Sequence, residues 1–77
     1  MTKQTKPNFV ICIQNDGADD LQVRKIYQVL PDENAGQDGY LRVVDDSGED
    51  YLYPENFFIP VTLSPGTARA VFATPVM

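Results

Sequence analysis

Seventy-seven residues leave room for one small domain and nothing more. Eleven acidic against six basic residues, with no histidine, set the formal charge at −5, while 43% hydrophobic residues give a globular rather than a disordered balance. The single cysteine excludes an internal disulfide and zinc sites built from four cysteines or from paired cysteines and histidines, and the missing histidine removes the usual general base.

In chain order, residues 1–8 are polar, contain Pro7, and read as a flexible lead-in. Phe9 to Ile13 is a β-branched apolar run and reads as the first strand. Its apolar character on both alternating faces predicts burial on both sides, by the chain's own tail or by a second subunit. Residues 15–20 form a loop by composition, and residues 21–25 are ambiguous between strand and loop. Lys25 to Leu30 is the second strand, stopped by Pro31. Residues 32–39 carry two glycines, an asparagine and three acids, and read as a loop. Tyr40 to Val44 is the third strand, residues 45–48 a hairpin turn closed by Gly48, and Glu49 to Tyr53 the fourth strand. Pro54 to Phe57 reads as a tight turn or one turn of 3₁₀ helix. Phe58 to Leu63 is the fifth strand, at an edge or bulged because Pro60 cannot donate to a ladder. Residues 64–77 are an apolar tail that holds either a helical turn or no regular structure.

Strand alternation gives the third and fourth strands two faces. With Leu41, Val43 and Leu52 turned inward, Tyr40, Tyr51 and Tyr53 turn outward and pair across the hairpin beside Arg42. Such a tyrosine patch, rimmed by acids, would serve as a protein-contact surface; the alternative is that these rings cap the core or lie under the tail.

Five short strands with these connections describe an all-β fold, a small and strongly bent barrel spanning residues 9–63. The order resembles the Src-homology 3 type of barrel. The most specific local likeness is Tyr53-Pro54-Glu55-Asn56-Phe57-Phe58, similar to the family's proline–x–asparagine–aromatic–apolar segment, where a short 3₁₀ turn precedes the last strand. The chain also resembles small bacterial proteins with this barrel, through residues 25–29 and 43–54, a likeness over roughly half the chain that carries no assigned activity. In the peptide-binding members, the resemblance implies that Pro54 and Phe57 line a groove for proline-rich ligands. The chain departs from those members in having no tryptophan and no aromatic pair on the first strand, which argues against that ligand class.

The remaining chemistry points away from catalysis. The acids of the 45–50 hairpin lack the spacing of a calcium loop and read as a solvated turn that keeps the domain soluble, so no metal or cofactor is expected. Cys12 lies in an apolar strand with no base to activate it and reads as a core residue. All eleven acids fall within residues 16–55, a segment of charge −8, which disfavours binding to a phosphate backbone. The longest apolar run is far short of a membrane span, and the amino terminus has no signal-like segment, so a cytoplasmic protein without membrane attachment is expected. The leading expectation is a non-enzymatic module binding a protein partner through Tyr40, Arg42, Tyr51, Tyr53, Pro54 and Phe57. A homo-oligomeric structural or regulatory protein, such as a homodimer, is the alternative, and an acidic-loop cation binder is a distant third.

Overall fold

The computed structural model describes residues 9–73. Five strands, β1 (Phe9–Cys12), β2 (Ile26–Leu30), β3 (Tyr40–Val44), β4 (Asp50–Pro54) and β5 (Phe58–Val61), form one antiparallel sheet in the order β4-β3-β2-β1-β5. Each strand lies within one to two residues of its expected bounds, because runs rich in Val, Ile and Tyr next to proline or glycine define pleated segments well.

The topology makes the sheet curl. β4 and β5 are its two edges, yet only a 3₁₀ turn, Glu55–Phe57, joins them. Laid flat, five strands would separate the edges by about 19 Å, whereas the connection from Pro54 to Phe58 reaches about 14 Å even at full stretch. The curl brings the Tyr53 and Phe58 rings to 6.3 Å, edge to face. The corner is tied by hydrogen bonds from the Ile13 N–H to the Phe57 carbonyl (2.7 Å) and from the Glu55 N–H to the Gly39 carbonyl (2.9 Å). No ladder joins β4 to β5, so the sheet is curled but not closed into a barrel. Pro54 and Pro60 each withhold a donor from these edge strands.

The concave face carries the core, built from Val10, Cys12, Tyr27, Val29, Val43 and Phe58. Leu21 completes it from the long β1–β2 connection and is only 2% exposed. That segment is therefore neither strand nor idle loop: it folds back as a plug, held by hydrogen bonds from the Arg24 N–H to the Cys12 carbonyl (2.7 Å) and from the Asp46 N–H to the Asp20 carbonyl (2.9 Å).

Two helical segments were not expected in full. Residues 33–37, read as loop, form a one-turn helix, α1 (Glu33–Gln37), because the Asp32 side chain accepts the Ala35 N–H at 3.0 Å. Pro65–Ala68 forms α2, with Ser64 as its N-cap and Pro65 in the first turn, and continues as one turn of π-helix through Ala73. This settles the described part of the tail as helical. It also covers the convex face of β1, where Phe72 stacks on Phe9 with ring centroids 5.0 Å apart and planes 16° from parallel. The lead-in at 1–8 and the tail residues 74–77 lie outside the described residues. Among the described residues, no helix is long and apolar enough to cross a membrane.

Candidate functional site

The β3–β4 register decides which candidate residues meet. Val44 faces Asp50, Val43 faces Tyr51, Arg42 faces Leu52, Leu41 faces Tyr53 and Tyr40 faces Pro54. Tyr51 and Tyr53 therefore share the concave side with Val43 and Leu41, while Leu52 shares the convex side with Tyr40 and Arg42. The expected face of three tyrosines does not form, and Leu52 points outward at 46% exposure rather than into the core. The physical reason is parity: the five-residue connection Asp45–Glu49 sets a register one residue away from the one expected, and a one-residue slip reverses every side chain of a strand.

What the structure does bring together is a convex strip of Tyr40, Arg42, Leu52 and Pro54. Tyr40 is 41% exposed. Next along the strand and directly opposite Leu52, the Arg42 guanidinium is held by two carboxylates, Nε to Asp32 at 2.8 Å and one terminal nitrogen to Asp50 at 3.0 Å. Asp32 thus caps α1 and fixes Arg42 at the same time. The Ala35 N–H, followed by Arg42, holds the Asp32 carboxyl below its ordinary range, and hydrogen bonding to Asp32 and then Asp50 raises Arg42 in turn. Tyr40 and Pro54 form one end of the strip, and the fixed Arg42 cation beside Leu52 forms the other.

Tyr51 and Tyr53 serve the hairpin instead. Tyr53 is half-buried against the core, and its hydroxyl donates to Asp45 at 2.6 Å; Tyr51 donates to Glu49 at 2.9 Å. Asp45 is buried, contrary to the solvated turn expected for these acids. It accepts from the Ser47 N–H (2.9 Å), the Ser47 hydroxyl (2.5 Å) and Tyr53. Burial pushes its carboxyl up, but those three donors outweigh burial and leave it below its ordinary value. Asp46 behaves in the same way: against the cost of burial it accepts from Lys25 (2.6 Å), Gln22 (3.0 Å) and the Tyr27 hydroxyl (3.1 Å). Burial, and secondarily Asp46, raises Tyr27 to about 12. Burial, and then the bond to Asp45, raises Tyr53 as well. Tyr27 and Gln22, which the sequence did not single out, are thus the groups that tie the long loop to the hairpin. These carboxylates are satisfied structural acceptors held ionised at neutral pH, not a split acid–base pair.

Phe57 belongs to neither group. It is half-buried in the 3₁₀ turn and packs on the core, its ring 6.2 Å from Phe58. Cys12 is fully buried, and desolvation raises its thiol, so the neutral form dominates and a nucleophilic role has no support. Among the described residues, no group of three or more Cys, Asp and Glu side chains is arranged to hold a metal ion.

Comparison with family models, with curated proteins and with solved structures finds no match to this chain.

Proposed function

We propose that the chain is a small non-enzymatic protein-interaction module on a barrel of Src-homology 3 type. The barrel reading is supported by the strand order β4-β3-β2-β1-β5, the long β1–β2 loop packed against the β3–β4 hairpin, and the 3₁₀ turn before β5. The observation that carries the functional reading is the convex β3–β4 strip, where Tyr40 and Leu52 stand in water on the same face as a doubly braced Arg42. Aromatic, aliphatic and arginine side chains grouped on a rigid strand pair are the usual anchors of protein contacts. The contact set narrows accordingly to Tyr40, Arg42, Leu52 and Pro54, with Tyr51, Tyr53 and Phe57 in supporting positions.

The test compares baits in affinity capture from the source cell. Leu52→Asp should fold with an unchanged melting temperature and lose a protein that the unmodified chain and Tyr51→Phe both retain. Equal retention by Leu52→Asp, or no retained protein at all, overturns the reading. Sedimentation of the same samples addresses the alternative, since a dimer that Leu52→Asp dissociates would make a second copy the partner.

A further inference from the structure

Beyond the β3–β4 strip, the convex face holds a cavity of about 590 Å³, within the range that takes one small organic ligand. Its walls include Ile26 and Val44 from the sheet and Val71 and Phe72 from the π-helical turn, and its charged lining holds Arg24 and Lys25 together with Asp45 and Asp46. The two cations differ. Lys25 is neutralised by Asp46 at 2.6 Å, and Asp46 is further engaged by Gln22 and Tyr27. Arg42 is likewise committed to Asp32 and Asp50. The Arg24 side chain makes no hydrogen bond or ion pair within the described residues. Arg24 also occupies a left-handed backbone position, φ +71°, which glycine or asparagine adopts at lower cost. The fold therefore gives no reason for a long cation at this position.

We propose that this cavity binds a small carboxylate with an apolar body, the body lying between Ile26, Val44, Val71 and Phe72 and the carboxylate meeting the Arg24 guanidinium. A planar guanidinium matches a carboxylate with two parallel hydrogen bonds; Asp46 in the same lining is paired with Lys25 and Asp45 is engaged by Ser47 and Tyr53, so Arg24 is the charge left to select an anion against a neutral or cationic ligand of equal length. The site shares no residue with the proposed protein-contact strip, so it stands or falls independently.

Octanoate is the probe, titrated into the isotope-labelled full chain below its micellar concentration and followed by amide chemical shifts. Saturable shifts at Ile26, Val44, Val71 and Phe72 are expected with octanoate, and much weaker ones with octylamine or octanol. Arg24→Gln should weaken octanoate about tenfold, with Arg24→Lys recovering part of the loss. Equal binding of octylamine to the unmodified chain, or scattered unsaturable shifts, overturns the proposal without reliance on any variant. So does a tenfold gain in octanoate affinity on Val76→Ser, which would make the chain's own residues 74–77 the occupant. A dimer that octanoate dissociates would make a second copy the occupant and overturn it equally.

Discussion

Leu21 shows how one side chain turns a long connection into part of the core. It projects from the β1–β2 loop into the concave face and is nearly free of water contact, so its truncation leaves a void that the loop cannot refill without breaking its bonds to Cys12 and Asp46. Leu21→Ala should cost about 2–5 kcal/mol, read by denaturant unfolding. The hydrogen-bonded carboxylates act at the same scale. Asp32, Asp45 and Asp46 are all held below the usual carboxylate range in the folded chain. Their stabilisation is therefore complete above the unfolded value near 3.8 and is lost as pH falls below it. Tyr27 has the opposite sense: raised from 10 to about 12, it stabilises fully below pH 10 and loses that contribution as pH rises toward 12. Melting temperature against pH should stay flat through neutrality, fall below about pH 4 and fall again above about pH 10. Replacing Tyr27 with Phe should shrink the alkaline fall.

At the scale of elements, the β3–β4 hairpin is both the most legible and the most misread part of the chain. Tyr40-Leu41-Arg42-Val43-Val44 announces a strand, and the Ser47-Gly48 pair announces a turn. Gly48 adopts φ +86°, with its N–H bonded to the Asp45 carbonyl at 2.9 Å. Gly48→Ala forces a Cβ into that left-handed position and should cost about 1 kcal/mol, measured as a lowered melting temperature with unchanged β-sheet circular dichroism. The facing of β4 was not legible, since the alternation Tyr-Leu-Tyr offers an amphipathic ring or an aliphatic chain for either side. Only the turn's length and the bonds to buried Asp45 decide it, and a carboxylate in a turn reads from sequence as solvated. Helix α1 was hidden for a different reason: five residues containing an asparagine and a glycine have little intrinsic preference for helix, and a single cap at Asp32 together with packing on β3 supplies what propensity does not.

At the scale of the molecule, the acids divide into two populations. Asp32, Asp45 and Asp46 bind loops and turns to the sheet, while Asp16, Asp19, Glu33 and Glu55 stand exposed. The charge that first suggested only solubility is thus partly internal bracing. The convex face, by contrast, is rich in apolar groups, from Leu52 on the β4 edge to Ile59 on the β5 edge, and Asp32 and Asp50 beside it are engaged by Arg42. That asymmetry was not visible in composition, because it follows from the register of every ladder rather than from any one segment.

The stack of Phe72 on Phe9 places the two limits of the described chain side by side. Chains with adjacent ends tolerate rewiring of their connectivity. A circular permutant that links residue 73 to residue 9 through a short glycine–serine bridge, and reopens the chain between the exposed Asp16 and Gly17, should therefore fold to the same sheet, with amide shifts of β2, β3 and β4 superimposing on those of the natural order. The order in which the polypeptide visits these strands is, on that view, separable from the shape they make.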